Sequence, residues 1–477
     1  EDLTGSIGSI DAAEIAEEQT VDNGGQLFQG QVPGLNAGVA TEADGGTDLE
    51  VRGRNSIQAG NDPLIVLDGV PYHQGDLSDI NPSDVESIDV LKGASAAAVY
   101  GASAAAGVIE ITTKRGTTPQ PTIRFKASTG IAPQGNVIQP YGPEQYVQYR
   151  RDTERRLNPA QPEHYYTDPR QLPDDLSVEE WKAMGQGGGD PVEVWLGRIN
   201  LSPTEIRNYV NNETIDWHDQ VYRNAAFRQN YNLSISGSPQ NMSYYWSVGY
   251  VDNEAEHVGD KFRTIRTRLN FSADPTEWLE VGLRGQYANR NEGFLAASAT
   301  HAGNVSPYGD MYEEDGSLRW YPHNDGTAYN PFLYTSQSGR RYVWRNHNLL
   351  ATLYGEVSLP YGFAYQARWT NEYDFQKDYL FNPSTTPFGA PAGNAEREEF
   401  TGHIWQVDNL LTWSDVVAGI HAFDATFLFN VEVNNSWSTS ASNNQFPIET
   451  LGYSGLPLGG GPAVGSYDSR STGNALM

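Results

Sequence analysis

The sequence predicts a transmembrane β-barrel that follows a small N-terminal domain of mixed α/β structure. Beyond residue 117, segments of about ten residues alternate strictly between apolar and polar side chains, which is the period of a β-strand. These predicted strands are about 9–14 residues long, whereas strands of soluble proteins usually have about 5–6 residues. The connections between them alternate between short and long, as in outer-membrane barrels with short periplasmic turns and long outer loops.

The N-terminal part, residues 1–116, consists of short apolar runs separated by glycines and turn residues. Its predicted strands are 63–67, 88–92 and 108–113. The turn residues Asp68 and Gly69 end the first of them, and an Ala-rich helix is predicted at 95–100. The sequence therefore predicts a mixed α/β domain at 1–116 and a strand-rich domain at 117–477.

Nine antiparallel strands are predicted in the second domain. They are 122–130, 231–236, 244–250, 265–271, 279–287, 346–358, 363–369, 402–414 and 423–433. A soluble β-sandwich would show the same alternation of side chains, but it has no reason to alternate its connection lengths. Tryptophans near the predicted strand ends, at Trp278, Trp369, Trp405 and Trp413, suit the aromatic girdles of a membrane barrel. Because a closed bacterial barrel normally has an even number of strands, we expect only part of the barrel in this chain.

Composition and charge exclude several classes of protein. The 477 residues include 31 Lys and Arg against 60 Asp and Glu, and the net charge of −29 is unsuited to nucleic-acid binding. The absence of cysteine excludes disulfides, iron–sulfur clusters and cysteine zinc sites. An acidic chain with few lysines is typical of a protein from a halophile, in which salt screens self-repulsion, but an ordinary acidic exported protein is an equal alternative.

Three segments of the N-terminal domain carry a specific sequence pattern: Asp62 to Tyr72, Val85 to Gly101 and Gly107 to Gly116. In this order they resemble the plug of SusC/RagA-type TonB-dependent outer-membrane transporters. Looser matches to the family's first barrel strands are 216–219, 230–237 and 250–254. The resemblance implies a barrel of about 22 strands that is filled by the plug, with about nine of the strands in this chain.

The family implies TonB-dependent active import of a large nutrient, an oligosaccharide or a peptide, across the bacterial outer membrane. A SusD-like surface lipoprotein would cover the barrel as a lid. TonB would supply energy through an N-terminal segment that we expect upstream of Leu3-Thr4-Gly5 and that is absent from this sequence. The alternative is a non-transporting outer-membrane binding or scaffold protein of the same fold. No cofactor is implied, and the residues do not identify the substrate or the oligomeric state.

The plug motif supplies residues for turns and close contacts. They are Asp62, Pro63, Asp68, Gly69, Pro71, Tyr72, Tyr100, Gly101 and Gly107. Proline and glycine fix the backbone where the chain reverses. The small residues around Gly101 are not followed by Gly-Lys-Ser/Thr, so close packing is predicted there and a phosphate loop is not.

Charged residues of the plug are candidates for a network that holds it inside the barrel. They are Arg52, Arg54, Glu86, Asp89 and Lys92. Buried charges need partners, so by resemblance these groups would pair within the plug or with the wall and release under force. A set of salt bridges on a wet surface of the plug is the alternative. Arginines on the inward face of the predicted strands would line the substrate path or brace the plug; these are Arg124, Arg266, Arg268, Arg284 and Arg368.

Aromatic residues of the plug turn and the outer loops are candidate contacts for the substrate or the lid. They are Tyr72, His73, Tyr308, Tyr312, Trp320, Tyr321 and Tyr329. Aromatic faces beside Asn and Asp suit both sugars and peptides. A turn role for Tyr72 and His73, and self-packed loops for the others, are the alternatives.

No metal site and no enzyme activity are predicted. The acidic cluster at Asp310, Glu313, Glu314 and Asp315 lacks the spaced ligands of a dedicated Ca²⁺ loop, so a solvated turn is the preferred interpretation. The sequence contains neither His-Glu-x-x-His nor Gly-x-Ser-x-Gly, so no hydrolase is expected.

Overall fold

The chain folds into a small mixed domain that packs against one face of a large antiparallel sheet. The computed structural model describes residues 7–18, 21, 24–38, 43, 49–51, 53, 62–92, 100, 104–135, 139–185, 188–323, 325–417 and 421–476. We call the small domain, residues 7–116, the inner domain, and the large sheet the wall.

The inner domain is built on a five-stranded sheet with the strand order β1-β6-β7-β4-β5, beside a separate two-stranded pair, β2-β3. Its strands are β1 (Ile7–Asp11), β2 (Leu35–Ala37), β3 (Leu49–Val51), β4 (Leu64–Leu67), β5 (Val70–Pro71), β6 (Val85–Leu91) and β7 (Val108–Thr113). The strands β4 and β7 are parallel, and helix α1 (Ala12–Glu18) follows β1. Apolar side chains from several elements form one core, in which Phe28, Ile88 and Ile109 are fully buried.

The wall is a ten-stranded sheet in which each strand pairs with its neighbours in the sequence. Its strands are β8 (Thr122–Pro133), β9 (Ala225–Gly237), β10 (Met242–Glu254), β11 (Lys261–Thr276), β12 (Leu279–Asn291), β13 (Arg341–Ser358), β14 (Phe363–Asn382), β15 (Asn394–Val417), β16 (His421–Asn444) and β17 (Ala463–Leu476). Among the described residues, β8 and β17 are the two edges of this sheet. The strands β15 and β16 have 24 residues each. At about 3.3 Å per residue they extend well beyond an apolar band of about 25 Å.

The two faces of the wall differ in polarity, as the alternation of the sequence predicts. Apolar side chains on one face are exposed, among them Trp246, Trp369 and Phe427 at 42–49%. On the other face Arg268 and Asn348 are buried against the inner domain, at 3% and 0% exposure. An apolar outer face and a polar inner face are the arrangement of a membrane barrel.

The connections of the wall alternate in length. The short ones are 238–241, 277–278 and 359–362, and only three residues separate the described ends of β15 and β16. The others are 134–224, 255–260, 292–340, 383–393 and 445–462. In their described residues, the longest connection carries five α-helices and 292–340 carries one. The five are α2 (Pro143–Leu157), α3 (Val178–Ala183), α4 (Pro191–Arg198), α5 (Pro203–Asn211) and α6 (Trp217–Val221), and the one is α7 (Ala299–Ala302). Trp181, Trp195 and Leu196 form the centre of a separate helical core. None of the helices in the described part of the chain has both the length and the apolarity needed to cross a bilayer.

The predicted fold class is confirmed, with two corrections in the wall. The sequence missed a tenth strand, β17, because Gly465 and Gly473 and many small polar residues interrupt its alternation. Trp369 and Trp405 lie inside β14 and β15 and not at strand ends, since these strands continue past the apolar band. The predicted helix at 95–100 lies outside the described residues except for Tyr100.

Candidate functional site

Three buried aspartates of the inner domain form polar contacts with the wall. Asp68 lies in the turn after β4, with a φ of 50°. Its carboxylate accepts hydrogen bonds from the backbone N–H of Thr113 at 2.9 Å and from the Thr113 hydroxyl at 2.8 Å. It also forms an ion pair with Arg268 of β11, and both side chains are nearly inaccessible, at 3% and 4% exposure. A buried charge pair of this kind is costly to break from one side only.

Asp79 forms the second contact, and it belongs to a short 3₁₀ turn at 77–79. Asp76 and Asp79 cap this turn reciprocally. The Asp79 carboxylate lies 2.9 Å from Nε of Arg290 on β12, and Nη1 of the same arginine donates to the Ser78 hydroxyl at 2.8 Å. Burial raises the pKa of Asp79 to about 6, although Arg290 acts in the opposite direction. The turn is thus held to the wall by a charged group whose burial is costly.

Asp84 forms the third contact, in the 3₁₀ turn immediately before β6. It accepts hydrogen bonds from the Tyr245 hydroxyl at 2.8 Å and the Ser247 hydroxyl at 2.7 Å, both on β10. Burial raises the pKa of Asp84, and these two hydrogen bonds offset part of the rise. Nearby, burial lowers the pKa of Lys114, whose Nζ donates to the Ser83 carbonyl at 3.0 Å.

The five inward arginines predicted from the sequence all contact the inner domain. Their partners are Glu17 for Arg124, the Ile80 carbonyl for Arg266, Asp68 for Arg268, the Asp68 carbonyl for Arg284 and the Gly69 carbonyl for Arg368. Of the two roles that the sequence left open, bracing the inner domain is the one that these contacts serve.

Tyr72 and His73 follow β5 and meet different parts of the wall. Tyr72 is 3% exposed and donates its hydroxyl hydrogen to Oδ1 of Asn348 at 2.7 Å. It is therefore closed to a ligand, which corrects its assignment as a presented aromatic contact; burial raises its pKa. The His73 side chain is 32% exposed and lies 3.6 Å from Glu432, and this hydrogen-bonding partner raises its pKa. His73 stays a candidate contact.

The predicted charge network of the inner domain is placed differently from the contacts above. Arg52 and Arg54 lie outside the described residues. Glu86 is exposed, Asp89 is half-buried, and Lys92 is buried and donates to the Pro33 carbonyl at 2.5 Å. Sequence reasoning missed Asp79 and Asp84, and it gave Asp68 only a turn role. The available signal was a run of aspartates from 76 to 84 in a domain expected to be enclosed, but each also fits a turn or cap residue.

The remaining motif residues serve the turns of the inner domain. Gly69 and Gly107 have φ of 78° and 100°, and a Cβ on Gly107 would lie 3.1 Å from the Val51 side chain. Pro71 pairs with Val66, Pro63 is buried and Asp62 is exposed. Tyr100 packs against the cluster of Leu91 and Val108, and Gly101 lies outside the described residues.

The predicted aromatic contacts of the outer loops divide into two groups. Tyr308 is 6% exposed and packs on Tyr209 with ring centroids 5.3 Å apart, so it is a core residue and its assignment as a ligand contact is corrected. Tyr312 is 52% exposed, and Tyr321 and Tyr329 form a half-buried pair with centroids 5.2 Å apart. Trp320 is also half-buried and donates to the Thr385 carbonyl at 2.7 Å. This second group stays a set of candidate contacts.

Asp310 and Asp315 of the acidic loop at 310–315 already have partners. Asp310 forms ion pairs with Arg207 at 2.5 Å and Arg319 at 2.6 Å, and Asp315 accepts from Ser317. These contacts favour the structural interpretation over Ca²⁺ binding.

Another group with potential metal ligands is Asp216, His218 and Asp219 at helix α6. Asp216 caps the helix, and Nε2 of His218 lies 3.0 Å and 3.2 Å from the amide nitrogens of Gln134 and Gln139. These atoms therefore serve the local fold.

The chain is similar to known proteins in both sequence and structure. A family model, TonB-dependent Receptor Plug Domain, matches residues 1–108. TonB-dependent receptor P26 of Formosa agariphila is 25% identical over 434 residues, which is 89% of this chain and 39% of that protein. TonB-dependent receptor SusC of Bacteroides thetaiotaomicron is 27% identical over 356 residues, 70% of this chain and 30% of that protein.

The fold is shared with a solved structure of the RagAB peptide transporter. The TM-score is 0.75 at 22% sequence identity, and the match covers 98% of this chain and 52% of that chain. The chain thus spans about half of this structural relative and less than two fifths of the two sequence relatives.

Proposed function

Since this chain belongs to the SusC/RagA-type TonB-dependent outer-membrane transporters, we propose that it forms the plug and part of the barrel wall of an active importer. It is an outer-membrane protein. The proposed cargo is a large nutrient, an oligosaccharide or a peptide. The inner domain is the plug, and we propose that the boundary with the wall lies between residues 116 and 117.

The observation that supports this proposal most directly is the way the inner domain is attached to the wall. Its polar contacts with the wall include the hydrogen bonds and ion pairs of Asp68, Asp79 and Asp84. Small apolar contacts are added by Leu350 of β13 and by Ala43, which clusters with Phe262 of β11. Polar contacts of this kind exchange readily for water once a gap opens, whereas a continuous apolar interface would resist separation. A plug that must move and return needs an interface of this type.

The position of β1 supports coupling to TonB. This strand is the first described element and lies at the edge of the inner sheet, paired only with β6 in that sheet. We propose that TonB pulls on chain that precedes β1. Force applied there acts first on the edge of the inner sheet and only then on the aspartates that anchor the inner domain to the wall.

The proposed partner on the outer side is a SusD-like lipoprotein that acts as a lid. The relative SusC and the RagAB transporter motivate this choice. The long connections 134–224 and 292–340 supply large surfaces for such a partner, with exposed aromatic side chains at Tyr141, Tyr149 and Tyr312.

Uptake by cells tests this proposal. Cells that contain the native outer-membrane protein carrying this chain should take up labelled maltooligosaccharides or a labelled tryptic peptide mixture, and a deletion strain should not. A protonophore should stop uptake while surface binding continues, because the pull of TonB depends on the proton gradient. Binding without any energy-dependent uptake would favour the scaffold alternative, and equal uptake by the deletion strain would contradict import by this protein.

A further inference from the structure

A cavity of about 440 Å³ opens on the inward face of the wall, beyond the inner domain. The strands contribute Tyr342 of β13, Asp378 and Leu380 of β14, and Glu396 and Glu398 of β15 to the lining of the cavity. Asp378 is on the same face of β14 as Glu372, which accepts hydrogen bonds from the backbone of residues 73 and 74 of the inner domain. At about 3.3 Å per residue, the cavity lies roughly 20 Å further along the strand, towards the long loops.

The cavity combines apolar and charged surfaces. Phe294, Leu380 and the rings of Tyr334 and Tyr342 supply the apolar part. Three carboxylates and one guanidinium, that of Arg340, supply the charged part. A concave site of this size with an apolar lining and a few convergent polar groups is the usual form of a ligand pocket.

The carboxylates are arranged against the preference of a β-sheet. Asp378 and Glu398 are directly opposite each other in the register of β14 and β15. Like charges in directly opposite positions destabilise a sheet. Glu396 adds a third negative charge on the same face, opposite Leu380.

Among the described residues that line the cavity, Arg340 is the one cation, and it is engaged elsewhere. Nε of Arg340 donates to Oδ1 of Asn382 at 2.6 Å, and its guanidinium lies over the ring of Phe388 at 5.0 Å. The cavity therefore keeps an excess of negative charge.

On the opposite face of β15 the negative charge is neutralised. There Glu399 lies 3.8 Å from Arg397 and accepts a hydrogen bond from the Tyr379 hydroxyl. The guanidinium of Arg397 also lies over the ring of Tyr379, at 4.2 Å. The negative excess in the cavity is thus not a uniform consequence of the acidic composition of the chain, because it is confined to one face.

We propose that this cavity binds a primary ammonium group of the imported substrate. The inference rests on the proposed import function and narrows its substrate class to amine-bearing oligomers. The ammonium would lie between Asp378, Glu396 and Glu398, and the carbons next to it would pack on Leu380 and Phe294. The tyrosine rings add attraction for a cation at their faces. Lysine-containing peptides and glucosamine oligosaccharides share this chemistry.

Binding to the purified native protein that carries this chain tests the proposal. The probes are tetralysine, tetraalanine, the tetramer of glucosamine and its fully N-acetylated form, titrated by calorimetry in detergent at 0.15 M salt. We expect one of the two cationic probes to bind at least tenfold more tightly than its neutral counterpart. The probe that does so shows whether the ammonium group belongs to a peptide or to an oligosaccharide. The double variant Glu396→Gln, Glu398→Gln should lose this preference.

The matched control is Glu399→Gln, on the other face of the same strand, which should keep the preference. The thermal midpoint of the double variant should equal or exceed that of the unchanged protein, because the substitutions relieve the opposition between Glu398 and Asp378. Equal affinity for cationic and neutral probes, or a preference that survives in the double variant, would overturn the proposal. Energy-dependent uptake of neutral oligomers with no cationic preference would reject this cavity function and leave import intact.

Discussion

Replacing Arg290 by glutamine removes the cation that faces the buried Asp79 carboxylate. The variant keeps a hydrogen-bond donor of similar reach but leaves the carboxylate without its charge partner, which lies 2.9 Å away in the unchanged protein. Removing one partner of a buried ion pair costs about 3–5 kcal/mol, because the remaining charge is uncompensated. The turn at 77–79 should therefore detach from the wall more easily.

The cost should depend on pH in a defined direction. The pKa of Asp79 is about 6, against an ordinary value of 3.8, so the folded state binds this proton more tightly than the unfolded state does. Protonated Asp79 therefore stabilises the folded state fully below pH 3.8, and this stabilisation is lost as the pH rises through about 6. The shift in pKa corresponds to roughly 3 kcal/mol in the free energy of unfolding. Without Arg290 the pKa should rise further. The defect of the variant should then be full at pH 8 and small at pH 5, where a neutral carboxyl group is tolerated.

Hydrogen exchange measured by mass spectrometry on residues 76–84 provides the assay, after correction for the intrinsic pH dependence of exchange. Arg290→Gln should lower the opening free energy of this segment at pH 8, and Asp79→Asn in the same chain should restore most of it, because no buried charge then remains. Arg345→Gln, an exposed arginine of the neighbouring strand, is the control and should change little. An equal defect at both pH values, or no rescue by Asp79→Asn, would refute this account of the contact.

Three further substitutions test other parts of the structure. Asp68→Asn keeps a residue that tolerates the φ of 50° but removes one charge of a buried ion pair. The free energy of unfolding of the inner domain, measured by thermal unfolding, should therefore fall by about 3 kcal/mol, and no change would show that the ion pair contributes nothing. Gly75→Ala would place a Cβ 1.7 Å from the ring of Tyr72, so exchange of residues 70–76 should increase, whereas Gly130→Ala, with no atom within 4 Å, should be neutral. Trp181→Ala should lower the stability of the helical core by about 3–5 kcal/mol, because it empties the centre of that core. Proteolysis within 139–222 should become faster, and an unchanged rate would contradict this role of Trp181.

The wall could be predicted from the sequence only where its two faces have different surroundings. In the apolar band one face meets lipid and the other meets protein, so polar and apolar residues alternate and the strands are evident. Beyond the band both faces are polar, as at Glu396, Arg397 and Glu398, so the sequence underestimated the length of β15. The same argument explains β17, in which small polar residues occupy both faces.

The anchoring contacts of the inner domain could not be predicted from local patterns. Asp79 and Asp84 stand in turns, where aspartate is common for reasons of backbone conformation alone. Their partners, Arg290 and Tyr245, are far along the chain and are brought near only when the wall is assembled. For Arg268 the inward direction could be predicted from strand alternation, but its partner Asp68 could not.

The charge of the inward face of the wall differs between the part that meets the inner domain and the part that lines the cavity. Where it meets the inner domain it carries arginines as well as carboxylates such as Glu372, and Arg268 alone bonds to Asn270, Gln286 and Asp68. A guanidinium has five donors in a fixed plane and can hold several partners at once, which a lysine cannot do with the same geometry. Beyond the inner domain, the same face carries the carboxylates of the cavity. Salt adaptation would favour acidic residues over the whole surface, so it does not explain the arginines that face the inner domain. The arrangement fits a wall that holds an acidic plug with arginines and offers carboxylates to the cationic substrate that we propose.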